Sequence, residues 1–215
     1  MNNRWIVWMG LLAFGALLVL AGCLSTAGKC TEPGQVVWAE GSDPGKDAPK
    51  WIKGGKAAYK EAGVRKKDIP DKFLVYVGVS EDRGDERGAQ FGGVEDMLKR
   101  YAFWLQEELD ELLPRAAQEA KLTLPNIDTA LGAYNAVIYL PRENAPYIRA
   151  AWQAQGQGCD TGQPVYRVYV LGLFDRDARR EHLLEAAKET FKHTVIRAEV
   201  KDEVLKEFER LIRRL

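Results

Sequence analysis

The chain has 215 residues, with 31 Lys and Arg against 31 Asp and Glu, so its formal net charge at neutral pH is zero. Binding to nucleic acid phosphates needs clustered positive charge, and this balance argues against nucleic acid as a partner. Hydrophobic residues make up 46% of the chain, which is ample for the core of one domain.

The N-terminal 22 residues have the order of a secretory signal peptide. A single cation, Arg4, precedes an apolar run over residues 5–20, and the small residues Ala21 and Gly22 follow. A transmembrane anchor is the first alternative, but the run is shorter than the roughly 20 apolar residues that a spanning helix needs. The second alternative is a plain signal peptide with an incidental cysteine after it. We predict a cleaved signal peptide over residues 1–22.

Cys23 directly follows Leu20-Ala21-Gly22, and the four residues together resemble the lipobox of bacterial lipoproteins. The resemblance implies that the Cys23 thiol takes a diacylglycerol, that cleavage precedes this residue, and that the new amine is acylated, typically with palmitate. Several acyl chains hold a protein on a membrane essentially permanently. In proteobacterial lipoproteins an aspartate after the cysteine tends to mark retention in the inner membrane. Leu24 occupies that position, which implies the outer membrane, facing the periplasm.

Lipidation of Cys23 would leave Cys30 and Cys159 as an even pair. Exported proteins reach an oxidising compartment, where such pairs form disulfides. We therefore predict a disulfide between Cys30 and Cys159. The alternative is two separate thiols, one in the tether and one in a turn.

Composition divides the mature chain into a tether and a single domain. Residues 23–47 are rich in Gly, Pro, Ser, Thr and charge, apart from a short apolar island at Val36, Val37 and Trp38. We predict that the folded domain covers residues 48–215.

Hydrophobic periodicity predicts the first elements of this domain. Residues 73–79 are a β-branched and aromatic run without a polar alternation, which indicates a strand covered on both faces. A long amphipathic helix follows a polar stretch over residues 80–93, and Pro114 is expected to break or kink it. Its stripe comprises Val94, Met97, Leu98, Tyr101, Leu105, Leu109 and Leu112. Residues 124–140 fit a helix or a strand, and we favour the helix.

The second half of the domain predicts a hairpin and further helices. Residues 147–155 and 165–174 read as strands around a glycine-rich loop. From residue 176 the chain is charged and helical, either as one long helix or with a separate last helix capped by Asp202. The expected stripe comprises Leu184, Ala187, Phe191, Val195, Ala198, Leu205, Phe208 and Ile212. This pattern predicts an α+β fold with a small antiparallel or mixed sheet packed against long helices.

Several short segments resemble the twenty-kilodalton bacterial outer-membrane lipoprotein family, whose fold is similar to the N-terminal domain of flagellar ring-assembly lipoproteins. They are the lipobox at Cys23, Pro49-Lys50-Trp51, Val77-Gly78-Val79 before a long helix, and Trp152 leading to residues 166–171. The resemblance spans most of residues 48–190. Family helices tend to repeat alanine every four residues, whereas this register holds Ala89, Gly93, Met97 and Tyr101. The resemblance implies a scaffold or assembly role and carries over no catalytic residue.

The residues themselves point to no reaction, cofactor or metal. The charged stretch over residues 81–87 lacks EF-hand spacing, and we interpret it as a solvated loop with local ion pairs. His182 and His193 lack zinc-ligand spacing and are expected on a helix surface. The aromatic residues Tyr101, Phe103, Trp104, Tyr166 and Tyr169 suit a partner surface or core packing, and we favour the core. Tyr166 and Tyr169 have opposite parities on their strand, which predicts opposite faces of the sheet.

Two functional hypotheses follow. The favoured one is a non-catalytic envelope lipoprotein that is held on a membrane by its N-terminal acyl chains and binds envelope proteins or cell wall. The alternative is a periplasmic enzyme or a small-ligand binder whose site is assembled only in the fold. A pocket lined by convergent polar groups would favour the alternative.

Overall fold

The computed structural model describes residue 32 and residues 34–63, 73–125, 127–138, 147–175 and 178–214. The predicted signal peptide over residues 1–22, Cys23 and Cys30 lie outside the described residues. The described part has the predicted α+β fold, with five α-helices and one four-stranded sheet.

The sheet is antiparallel throughout, with strand order β1-β3-β4-β2. Its strands are β1 (Val36–Trp38), β2 (Phe73–Val79), β3 (Tyr147–Gly158) and β4 (Pro164–Asp175). Strands β3 and β4 form the predicted hairpin, whose register shifts at a bulge between Ile148 and Ala150. The hairpin is longer than predicted because its pairing extends to Gln157 and Pro164, close to the turn.

Strand β1 corrects the predicted boundary of the domain. The prediction assigns Val36, Val37 and Trp38 to the tether, whereas the structure pairs them with Gly158, Gln157 and Gly156 of β3. Their side chains are partly buried. The three residues are β-branched or aromatic, so they suit an edge strand, and the polar residues around them hid this signal. The folded domain therefore begins before residue 48.

A short helix, α1 (Gly55–Glu61), precedes β2 in the chain. The long helix α2 (Glu86–Glu119) follows β2 and begins earlier than predicted. Asp85 caps it by accepting a hydrogen bond from the Gly88 N–H at 2.6 Å. The core-facing row of α2 is buried at every fourth residue: Ala89, Gly93, Met97, Tyr101, Leu105, Leu109, Leu113 and Ala117. Pro114 does not end the helix, because its ring lies on the exposed face and the flanking residues on the other face are buried.

Glycines allow α2 to lie unusually close to the sheet. A Cβ on Gly78 of β2 would lie 2.7 Å from the Cβ of Met97, and one on Gly93 would lie 3.0 Å from the carbonyl oxygen of Val168. Gly172 of β4 leaves space for the Met97 side chain. Packing therefore explains why Gly93 and Met97 stand where the lipoprotein family tends to have alanine. Gly93 lets the helix approach the sheet closely, and the Met97 side chain occupies the space left by Gly172.

Three further helices pack beside α2: α3 (Thr129–Ile138), α4 (Arg179–Lys192) and α5 (Ala198–Ile212). Helix α3 confirms the helical interpretation of residues 124–140 in part of that range. Helices α4 and α5 are separate, and Arg197 rather than Asp202 occupies the N-cap of α5, so the predicted cap is wrong. Val195, predicted to be part of the apolar stripe, lies in the intervening loop and is fully exposed.

The sheet has an apolar cluster on each face. On one face, the helices cover Tyr76, Val168, Val170 and Phe174. On the other face, the short segment with a 3₁₀ helix (Lys50–Lys53) and α1 brings Trp51 and Ala58 against Leu171. Val75 and Val77 pack against this second cluster, which confirms that β2 is covered on both faces.

Candidate functional site

The most unusual polar group in the described residues is a buried tyrosine–histidine pair. Tyr101 of α2 has no exposed surface, and His182 of α4 is 1% exposed. The Tyr101 hydroxyl lies 2.6 Å from His182 Nδ1, across 81 residues of sequence. His182 Nε2 is also buried and has no hydrogen-bond partner in the described part of the chain.

Burial keeps both members of this pair neutral. It lowers the pKa of His182 from 6.5 to about 4, against the opposing effect of the nearby carboxylates Glu181 and Asp175. Burial also raises the pKa of the Tyr101 phenol well above its usual value, and the neighbouring phenol of Tyr76 adds to this. A neutral imidazole and a neutral phenol share one short hydrogen bond, so the pair fastens α4 to α2.

An ion pair lies one turn earlier on α4. Arg179 Nη2 donates to Glu108 Oε2 of α2 at 2.6 Å, and the Arg179 guanidinium lies 5.0 Å from the centre of the Trp104 ring. The Arg179 side chain is only 11% exposed, and its Nε is buried without a hydrogen-bond partner in the described region. Because both partners face the same helix–helix contact, this ion pair reinforces the attachment made by Tyr101 and His182.

Aromatic rings surround the pair, which confirms core packing for most of the predicted aromatic set. Tyr101 stacks on Phe174 with ring centres 4.0 Å apart and on Trp104 at 5.6 Å, while Tyr76 contacts Tyr101 edge-on. Phe103 is the exception, at 61% exposed.

Tyr166 and Tyr169 confirm the parity argument. Tyr166 packs against the cluster on the helix side of the sheet, and Tyr169 packs with Trp152 in the cluster on the opposite side. The Trp152 and Tyr169 ring centres lie 5.6 Å apart.

The prediction for the histidines is wrong for His182. It is expected on a helix surface, but it occupies a buried row of α4 with Ala186 and Thr190. The four-residue spacing of these three positions is the sequence signal for this burial, and the neighbouring charges obscured it. His193 follows the end of α4 and is exposed, with Nε2 3.4 Å from the Asn135 amide nitrogen.

Residues 81–85 of the charged stretch form the predicted loop, whereas Glu86 and Arg87 begin α2. The prediction of local ion pairs holds for Glu81 and Arg83 and is wrong for Asp82. Arg167 of β4 donates two hydrogen bonds to the Asp82 carboxylate, at 2.7 and 2.8 Å. Asp85 is occupied as the cap of α2, and Glu81 lies 3.3 Å from Arg83. The Arg167 guanidinium also lies 5.2 Å from the centre of the Trp38 ring, which connects this loop to β1. No group of three or more residues that could hold a metal ion occurs in the described ranges.

A surface groove of about 470 Å³ lies between the C-terminal half of α2 and the segment that leads to α3. Its walls are mostly apolar, and its lining comprises Leu109, Asp110, Pro114, Ala117, Gln118, Leu122, Thr123, Leu124, Pro125, Ile127 and Thr129. The Thr129 hydroxyl donates to the Asp110 carboxylate at 2.5 Å. Since Pro114 has no N–H, the Asp110 carbonyl lacks its usual helical donor. The groove was not predicted from the sequence, where residues 124–140 indicate only a helix or a strand.

Cys159 is disulfide-bonded. It directly follows β3, and its N–H donates to the Gln35 carbonyl at 2.9 Å. The chain has two other cysteines, Cys23 and Cys30. The pairing with Cys30 stays a prediction, because that residue lies outside the described ranges.

Comparison with protein-family models, with curated proteins and with solved structures finds no match to this chain. The resemblance to outer-membrane lipoproteins therefore stays a hypothesis. Within the described ranges, no helix has both the length and the apolar content needed to cross a membrane.

Proposed function

We propose that this chain is a lipid-anchored lipoprotein of a bacterial cell envelope, with a non-catalytic role in holding or assembling other envelope components. The observation that carries the proposal is the sequence Leu20-Ala21-Gly22-Cys23 after an apolar run of signal-peptide length. Lipidation at Cys23 would place the domain on the outer membrane, facing the periplasm, as the residue Leu24 favours.

One structural observation supports export. Cys159 is disulfide-bonded, and structural disulfides persist in oxidising compartments such as the periplasm.

The buried tyrosine–histidine pair gives no support to the enzyme alternative. Tyr101 and His182 are enclosed by aromatic rings, and a general acid or base must reach its substrate within about 3 Å or through one water. The pair therefore serves packing rather than proton transfer.

Membrane fractionation followed by crosslinking tests this proposal. The wild-type protein is expected in the membrane fraction, and a Cys23→Ser variant is expected to lose that location. Crosslinking of the acylated protein in intact cells should then recover a stoichiometric envelope partner. Recovery of the protein alone, from a membrane fraction that contains it, would count against a scaffold role.

The groove favours a second candidate function, the binding of a small ligand. Its volume falls within the roughly 300–1,000 Å³ typical of ligand sites, and it combines apolar walls with the Asp110 carboxylate. Ligand-detected NMR with a library of small amphipathic compounds tests this function. A Gln118→Trp variant, which fills the groove from its rim, should abolish binding, whereas Glu111→Trp on the same helix but outside the lining should not.

A further inference from the structure

The N-terminal segment is fastened to one end of the sheet, at the β3–β4 turn. Besides the pairing of β1, the Gly34 N–H donates to Asp160 Oδ2 at 2.6 Å, and the Cys159 N–H donates to the Gln35 carbonyl. The disulfide of Cys159 adds a covalent link to the same end. We call this end of the domain, comprising residues 34–36, 80–86 and 158–164, the turn end.

Helix α2 leads from the turn end to the opposite end of the molecule. Arg83, three residues before α2, exchanges backbone hydrogen bonds with Tyr166 near the start of β4. Further along, Gly93 lies against Val168, Met97 against Gly172, and Tyr101 against Phe174. Helix α2 thus runs beside β4 away from the turn end and continues past the last residues of that strand. On α2 the groove is lined by Leu109, Asp110, Pro114, Ala117 and Gln118, so it lies beyond the far end of β4.

We propose that the turn end faces the lipid surface and that the groove end points away from it, into the aqueous space. This orientation rests on the proposed lipid anchor at Cys23. In this orientation the turn end lies next to the lipid bilayer. A partner bound at the groove would lie away from the membrane to which the domain is anchored.

The lengths of the tether and the helix support this orientation. Twelve residues, 24–35, separate Cys23 from β1 and span at most about 40 Å when fully extended. A disulfide between Cys30 and Cys159 would shorten the free tether to residues 24–29, with a reach of about 20 Å. The 34 residues of α2 extend for about 51 Å, at 1.5 Å per residue. The turn end therefore stays within the tether's reach of the bilayer. Residues 109–118 lie about 35–48 Å along α2 from Glu86, so the groove lies farther from the anchor than the turn end does.

The charges of the turn end indicate that the tether, and not electrostatic attraction, sets this orientation. Within the turn end the carboxylates are Glu81, Asp82, Asp85, Glu86 and Asp160, and the cation is Arg83. Anionic lipid attracts clusters of Lys and Arg, and this end has no such excess. Anionic lipid would repel this excess of carboxylates, so the orientation is measured on neutral vesicles.

Energy transfer to a membrane-borne acceptor tests the orientation. The full acylated chain carries a thiol-reactive donor dye at Glu81→Cys, on the turn end, or at Gln118→Cys, on the groove end. Both positions are exposed, and they are separated by most of the length of α2. Each protein is bound to phosphatidylcholine vesicles that contain a headgroup-labelled acceptor lipid. The unsubstituted protein measures background labelling of Cys30 and Cys159.

The expected result is severalfold more efficient transfer from position 81 than from position 118. Equal efficiencies, or a higher efficiency at position 118, in vesicle-bound protein would overturn the orientation while leaving the anchor intact. An acylation-competent protein that does not bind vesicles, or a Cys23→Ser variant that binds equally well, would overturn the anchor, and the orientation would fall with it.

Discussion

The hydroxyl of Tyr101 lies 2.6 Å from Nδ1 of His182, and this hydrogen bond joins α2 to α4 inside a core where neither side chain reaches water. Removing one partner of such a hydrogen bond lowers the free energy of unfolding, because the buried group that is left behind has lost its contact with water and gained none in exchange. The pair therefore makes the stability of the domain sensitive to pH and to small changes at these two residues.

The first prediction concerns pH. His182 has a pKa of about 4 in the folded protein against 6.5 when unperturbed, so between these values the unfolded chain binds the extra proton. The free energy of unfolding should therefore fall as the pH drops from 6.5 to 4, by about 3 kcal/mol in total from this group. Urea unfolding at a series of pH values measures the loss. In His182→Asn, which keeps a polar group near Nδ1 but does not titrate, this part of the slope should vanish; an unchanged slope would contradict the assignment.

The second prediction concerns the hydrogen bond itself. Tyr101→Phe keeps the ring stacked on Phe174 but leaves His182 Nδ1 without its partner, and we expect it to cost about 1–3 kcal/mol. Tyr134→Phe is the matched control, since Tyr134 is partly buried against the same core. Chemical denaturation measures both variants. Equal small effects would mean that the bond adds nothing to stability.

The third prediction concerns the contact between α3 and α4. A Cβ on Gly132 would lie 2.7 Å from the backbone nitrogen of Thr190, which cannot move without shifting α4. Gly132→Ala should therefore destabilise the domain by about 1–3 kcal/mol despite its better helix propensity. Gly84→Ala is the control, because no atom lies within 4 Å of its Cβ position. Thermal unfolding of both variants checks the comparison, and a stabilised Gly132→Ala would contradict the packing described.

The fourth prediction compares two ion pairs. Glu108→Gln leaves the nearly buried Arg179 without its counter-charge, whereas Asp82→Asn affects a pair whose side chains are about one-third exposed. We expect a loss of more than 1 kcal/mol for Glu108→Gln and of about 0–1 kcal/mol for Asp82→Asn. Parallel denaturation at low and high salt measures both. A larger loss for Asp82→Asn would contradict this order.

The fifth prediction concerns the disulfide. Peptide mapping of the unreduced protein should find Cys159 joined to Cys30, and Cys30→Ser should destabilise the domain by up to about 4–5 kcal/mol in theory, because the loop is long. Alkylation of both cysteines without reduction would refute the pairing. Reductant should lower the stability of the wild-type protein but not that of Cys30→Ser.

Strong, uninterrupted patterns made much of the fold predictable. Residues 73–79 form the predicted strand, and the apolar stripe of α2 and the hairpin follow from local periodicity. The errors occur where tertiary contacts decide. Strand β1 depends on pairing with distant Gly156 and Gly158, and Val195 drops out of its stripe because α4 ends at Lys192.

The buried polar groups and the groove could not be predicted from the sequence for a similar reason. The partner of His182 lies 81 residues away, so the local sequence shows only a histidine among charged neighbours. The groove is formed by the packing of residues 122–129 against α2, a contact that no short motif encodes. Lipidation, in contrast, depends on the contiguous segment Leu20-Ala21-Gly22-Cys23, so it can be predicted from the sequence without the structure.

The most direct test of the account is metabolic labelling with radioactive palmitate in bacteria that express the full chain, combined with mass spectrometry of the N-terminal peptide. We predict an acylated peptide that begins at Cys23 and a Cys23→Ser variant that takes up no label. An unlabelled wild-type protein, or a Cys23→Ser variant that is labelled as strongly as the wild type, would contradict the lipid anchor.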